Sequence, residues 1–195
     1  MVAFSKVFKI FKKYYQLVPL EVFGSDPYKT LVSTLMSART KDEVTLEASK
    51  RLFTKANNFN RLGQLEIKTI EKLIHPVGFY KTKAKHLHRL AKLIKKVPRN
   101  REELMKLPGV GRKTANLVLN RAFKIPAIAV DTHVHRISNL LGWVHTKTPE
   151  QTEKELIKVL PKKYWPDTNR LLVSIGRSFT SKKKLEIFLR KNNLI

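Results

Sequence analysis

Apolar residues in this chain recur at helical spacing almost from end to end, and strand-type alternation is nearly missing. Val7, Phe8, Phe11, Tyr14 and Tyr15 fall at i, i+3, i+4 positions, the spacing that lines one face of a helix. The pattern returns in Leu87, Leu90, Ala91 and Ile94 within the basic segment 81–97. Punctuation between segments is also helical. Asp26-Pro27 reads as a cap followed by proline at the first helical position, before the apolar stretch 31–38. Thr40 and Glu43 are spaced as a capping box. A short helix is expected over 66–74, stopped by Pro76 and Gly78, and another opens at Asn100 and Glu103. Further helices are expected over 113–123 and over 132–141, the latter ending at Gly142. Thr148, Pro149 and Gln151 start the next, which Pro161 ends, and two more close the chain over 167–179 and 182–192. Only residues 127–130 have strand character, and so short a run makes no sheet. The expected fold class is all-α.

Charge narrows the function. Forty Lys and Arg face fifteen Asp and Glu, a formal charge of +25 on 195 residues. A compact body with that charge repels itself unless it meets a polyanion. Nucleic acid is the first candidate, because Lys and Arg on phosphate release condensed counterions. An acidic membrane surface is a distant second, since the basic residues spread over several helices. No run approaches the ~20 apolar residues of a spanning helix. The first residues are charged throughout and lack the apolar stretch of a signal peptide. A cytoplasmic, nucleoid-associated monomer is the expectation. The six His do not recur at metal-ligand spacing, and there is no Cys, hence no thiolate nucleophile and no Cys-ligated iron–sulfur cluster.

The most informative segment is Leu107-Pro108-Gly109-Val110-Gly111-Arg112-Lys113-Thr114-Ala115-Asn116. Two glycines flank one apolar residue directly before a helix. Gly109 and Gly111 allow positive φ and close approach of another backbone, and Val110 can pin the turn to the core. The first turn of the helix presents N–H groups, and its dipole favours an anion. This makes a phosphate cradle that reads no sequence. It is not a dinucleotide fingerprint, because no strand precedes it and the third glycine is missing.

With that string the sequence resembles the endonuclease III branch of the helix-hairpin-helix DNA glycosylases. The matching residues run from Leu107 to Asn120, then Ile128-Ala129-Val130-Asp131-Thr132-His133. Weaker matches are Leu35-Met36-Ser37-Ala38-Arg39-Thr40-Lys41-Asp42, Gly78-Phe79-Tyr80-Lys81-Thr82-Lys83-Ala84 and Gly176-Arg177. The resemblance implies a six-helix barrel over residues 23–132 that carries the hairpin. Residues 1–22 and 133–195 would form a second helical lobe, with double-stranded DNA across the cleft between them.

The sequence departs from the family pattern in three places. Members usually hold a [4Fe–4S] cluster with four Cys near the C-terminus, and residues 180–195 contain none. An amphipathic helix takes that place, with Leu185, Phe188 and Leu189 on one side and Lys182–Lys184 and Lys191 on the other. Arg39 stands where the family usually has a Gln that fills the gap left by a flipped base, and Phe79 where an aliphatic wedge is usual. The damaged base and the opposite-base preference therefore stay open.

A base inside duplex DNA must rotate into a pocket before it can be attacked, and the vacated space must be filled. Phe79 and Arg39 are the candidates for filling it. Lys113 is the candidate nucleophile: its amine attacks C1′, expels the base, leaves a Schiff base and permits β-elimination. Lysines are mostly protonated at neutral pH, so neighbouring cations, desolvation or a helix N-terminus must activate the amine. Arg112 and the helix start lie beside Lys113. Asp131 is the candidate acid/base group and also a candidate helix cap. His133 touches phosphate or supports Asp131, while His135 and Arg136 read as contacts to the DNA backbone. Lys81, Lys83, Lys85 and Arg89 attract phosphate without sequence preference. The activity expected is that of a bifunctional glycosylase and abasic-site lyase, acting on oxidised pyrimidines. Two alternatives remain: a monofunctional thymine or uracil mismatch glycosylase, and a non-catalytic DNA-binding module.

Overall fold

The computed structural model describes residues 3–195. Met1 and Val2, which the expected second lobe includes, lie outside the described residues. The described residues fold into α-helices α1 (Phe4–Lys13), α2 (Pro27–Ser37), α3 (Asp42–Lys55), α4 (Phe59–Gln64), α5 (Ile67–Ile74), α6 (Tyr80–Leu93), α7 (Arg101–Met105), α8 (Arg112–Phe123), α9 (Thr132–Leu140), α10 (Pro149–Val159), α11 (Trp165–Ser178) and α12 (Lys182–Lys191). Among the described residues there is no strand, so residues 127–130 form a buried connector. The chain divides into two compact units, Pro19–Ile125 and a second made of Pro126–Ile195 with the chain up to Val18.

In the unit Pro19–Ile125, α2 is the central element, with every residue from Thr30 to Met36 buried. A helix buried all round must be apolar or satisfy its polar groups locally. Thr30 does so by donating its hydroxyl to the Phe23 carbonyl at 2.7 Å, and Ser33 by donating to Thr30 O at 3.3 Å. Asp26 caps α2 as its sequence predicts, accepting from Lys29 N–H at 3.0 Å, with Pro27 next. Asn100 caps α7 by accepting from Glu103 N–H at 2.8 Å. The expected capping box at 40–43 does not form. The cap position of α3 is Lys41, which makes no side-chain cap bond. The Thr40 hydroxyl turns away from α3 toward the loop at Gly78, whose N–H it accepts at 3.0 Å. One helix, α4, has no counterpart in the sequence reading. At six residues it is too short for periodicity to register, although Asn58 caps it by accepting from Arg61 N–H.

The other unit is closed by aromatic packing. Phe8 stacks on Tyr164 at 4.4 Å and lies parallel to Trp143 at 5.9 Å, while Phe4 meets Trp143 edge-on at 5.0 Å. Phe188 of α12 stacks on Phe179 at 4.3 Å and meets Tyr14 edge-on at 5.0 Å. Leu185 and Leu189 are fully buried beside it. Asp167 joins α1 to α11, pairing with Lys12 at 3.0 Å and with Arg170 at 2.8 Å. Burial pushes the Asp167 carboxyl up, but the bonds and charges of Lys12 and Arg170 outweigh it and hold the group below the usual carboxylate range.

Candidate nucleic-acid interface and active site

The segment between α7 and α8 is a tight hairpin. Leu107 N–H donates to Leu104 O at 3.1 Å, and Val110 N–H donates to Leu107 O at 3.1 Å. Leu107 and Val110 are buried, so both pin the turn to the core. The two glycines differ. Gly109 has φ +75°, and a Cβ there would lie 2.6 Å from His86 Nδ1 of α6. Gly111 has φ −93° and ψ 176°, extended backbone open to any residue. The expectation of positive φ therefore holds for Gly109 and fails for Gly111. What Gly111 provides is space, since a Cβ there meets nothing within 4 Å. It occupies the cap position of α8 without a side chain to close the turn, and Arg112 and Lys113 follow it, both exposed. The positive end of the α8 dipole thus carries two cations and no bulk.

Lys113 sits in the first turn of α8, in the unit Pro19–Ile125. Asp131 belongs to the other unit and caps α9, with Oδ1 accepting from His133 N–H at 3.0 Å and from Val134 N–H at 2.9 Å. The cap fixes the carboxylate at the half-buried start of the helix. His133 packs where α11 has no side chain, and a Cβ at Gly176 would fall 2.7 Å from its Cγ. His135 and Arg136 make hydrogen bonds within their own unit. His135 Nδ1 meets Thr152 Oγ1 at 2.6 Å. The Arg136 guanidinium donates to Thr180 O at 2.7 Å and Phe179 O at 3.2 Å, where the carbonyls at the end of α11 need donors.

Arg39 and Phe79 come from different loops and meet. The Arg39 guanidinium lies 5.7 Å from the centre of the Phe79 ring. Both residues hold left-handed backbone, at φ 52° and 57°. Phe79 is 61% exposed, which rules out a core role for it. Lys81, Lys85 and Arg89 are exposed on α6 as expected. Lys83 is a correction. It is 6% exposed, and its ammonium donates inward to Met36 O at 2.7 Å, Ala38 O at 2.6 Å and Thr40 Oγ1 at 3.3 Å. An ammonium consumed by three protein oxygens is no phosphate contact. Burial pushes it down to about 8, which leaves it protonated at neutral pH. The sequence reading missed Thr40 and Gly78 as partners of this arrangement. The apolar positions of α6 held a signal for Lys83: it lies four residues before Leu87, on the buried stripe.

The family described as HhH-GPD superfamily base excision DNA repair protein matches residues 32–162. Endonuclease III of Thermotoga maritima is 48% identical over 158 residues, covering 78% of this chain and 74% of that one. The chain belongs to the HhH-GPD superfamily. It is a base excision DNA repair enzyme of the endonuclease III type. Endonuclease III of Bacillus subtilis is 39% identical over 163 residues, with 80% of this chain and 74% of that one covered. Among solved structures, a non-covalent endonuclease III–DNA complex superposes with a TM-score of 0.81 at 32% identity, covering 94% of this chain and 90% of that one. A trapped covalent endonuclease III–DNA intermediate gives 0.78 at the same identity and coverage. A thermostable thymine-DNA glycosylase, 22% identical, gives 0.82, a likeness of fold alone.

The iron–sulfur cluster that the resemblance associates with the C-terminal region does not fit these residues. The chain has no Cys, and among the described residues no group of three or more His, Asp or Glu could hold a metal ion. The inner face of α12 is instead filled by Leu185, Phe188 and Leu189. No helix of the described residues is long and apolar enough to cross a membrane.

Proposed function

We propose that this HhH-GPD protein is a bifunctional DNA glycosylase and abasic-site lyase that excises damaged pyrimidines, oxidised ones foremost, and needs no metal or cluster. The observation that carries the reading is Lys113, exposed in the first turn of a helix whose cap residue leaves open space. Phosphate settles on the hairpin at Gly109–Gly111, where the dipole and Arg112 attract it. His133 and the exposed Lys81 add backbone contacts. The Lys113 amine attacks C1′ and gives up a proton, the glycosidic bond breaks, and the base leaves with the bonding electrons and takes up a proton. The C1′–O4′ bond of the aminal then opens, with O4′ taking up a proton, to leave a protonated Schiff base; this acidifies C2′, and loss of the C2′ proton expels the 3′ phosphate. The Asp131 carboxylate, held by its cap bonds, stabilises the positive charge that develops on the sugar and moves protons at the amine.

Arg39 and Phe79 fill the gap behind the flipped nucleotide, the ring by stacking and the guanidinium by donating to the orphaned base. A guanidinium has donors only. Across the vacated gap the orphaned base presents its Watson–Crick edge, where guanine offers the acceptor O6 and adenine the acceptor N1, so the guanidinium can donate to either purine.

Borohydride trapping on duplexes carrying an abasic site, thymine glycol, uracil or a G·T mismatch tests this. A covalent adduct is expected, lost in Lys113→Gln while DNA binding persists. Base release without an adduct would make the enzyme monofunctional, and binding with neither would leave a DNA-binding module.

A further inference from the structure

A buried ammonium is costly unless it is compensated, and the mechanism above gives Lys83 no task. Its partners suggest one. Met36 O and Ala38 O lie at the C-terminal end of α2, where the helix dipole favours a cation. Thr40 Oγ1, the third partner, also accepts the N–H of Gly78 at 3.0 Å. That one hydroxyl links the loop of Arg39 to the loop of Phe79. The loops touch so closely that a Cβ at Gly78 would lie 2.6 Å from Arg39 O. From the preceding side, Arg51 of α3 donates to Leu73 O and His75 O and fixes the entry to the second loop. Left-handed backbone at two non-glycine residues persists only where the surroundings over-determine it. Arg39 and Phe79 are such residues, and each sits beside this network.

We propose that Lys83 is the positioning residue of the base-flipping wedge: its buried ammonium fastens the Arg39 loop to the Phe79 loop, so that guanidinium and ring enter the duplex as one preassembled unit. This deepens the wedge role assigned to Arg39 and Phe79 above and rests on it. The prebuilt pair spends no ordering entropy at the moment of insertion, which is the gain that preorganisation gives. Removing the ammonium leaves two loops that must find their left-handed conformations on DNA.

The test is a double-mutant cycle in the full chain carrying Lys113→Gln, so that nothing is cleaved. The readout is fluorescence of 2-aminopurine placed next to the lesion, which rises when its stacking neighbour is extruded. Lys83→Met should slow flipping about tenfold, the scale of a lost hydrogen bond to a charged group, with DNA affinity within about twofold because Lys83 meets no phosphate. In the Arg39→Ala/Phe79→Ala background the same substitution should add nothing, since its action runs through those two side chains. A full additional loss there, or unchanged flipping in Lys83→Met alone, overturns the proposal. If Lys83→Met does not fold, Thr40→Val removes the shared oxygen and carries the same cycle with the same deciding outcomes. Wild-type flipping in Arg39→Ala/Phe79→Ala would overturn the wedge reading itself, and Lys83 with it, while leaving borohydride trapping intact.

Discussion

At the residue scale, two glycines two positions apart do different work. Gly109 is needed by the fold, because its φ of +75° and its contact with His86 leave no place for a side chain. Gly111 is needed by whatever approaches, because its backbone is ordinary and its surroundings are empty. Gly109→Ala should therefore cost about 1–2 kcal/mol from the left-handed backbone alone, plus the clash, and lower Tm. Gly111→Ala should leave Tm nearly unchanged and weaken binding to duplex DNA severalfold. Thermal melts and salt-matched titrations of both variants check this. Weakened binding in neither would take the phosphate role from the hairpin. The motif was legible in the sequence as Gly-Val-Gly, but the division of labour was not. Which glycine turns left-handed and which meets α6 at His86 is visible only in the folded chain.

At the element scale, one helix cap coincides with a proposed catalytic group. Asp131 holds two N–H groups of α9 and is also the proposed acid/base group. Asn caps a helix about as well as Asp, whereas Ala loses about 0.5–2 kcal/mol. Asp131→Asn should therefore keep Tm and DNA affinity while slowing base release and strand cleavage. Asp131→Ala should lose both activity and stability. Single-turnover rates set against Tm separate the roles, and a fully active Asp131→Asn would reduce Asp131 to a cap. Caps of this kind were readable in advance at Asp26, Asn100, Asp131 and Thr148, because each bonds an N–H within three residues. The capping box expected at Thr40 failed because a competing donor, Gly78 N–H, arrives from 38 residues away.

At the scale of the whole molecule, a chain without cysteine must hold its C-terminal helix by packing. Phe188 is the centre of that contact, against Phe179, Tyr14 and Phe11. Phe188→Ala should cost about 3–5 kcal/mol, the usual range for a buried aromatic, with a clear fall in Tm. A chelator should change neither Tm nor base excision in the wild-type protein. A Tm that chelation lowers would show that a bound metal shares the work of packing.

The sequence by itself determined the all-helical class, most helix boundaries, the hairpin, and the places of Lys113 at the start of one helix and Asp131 at the cap of another. These rest on interactions that span one helical turn, so the information lies within a few neighbouring residues. The tertiary structure decided which atoms each basic residue meets. Lys83 reads as one more cation on a basic helix until α2 is packed beside it, and its carbonyl partner at Met36 lies 47 residues away in the chain. The meeting of Arg39 with Phe79 and the use of Arg136 as a brace for α11 were decided in the same way. A side chain's periodic position tells whether it is buried, but the atoms it meets belong to another element, and only packing supplies them.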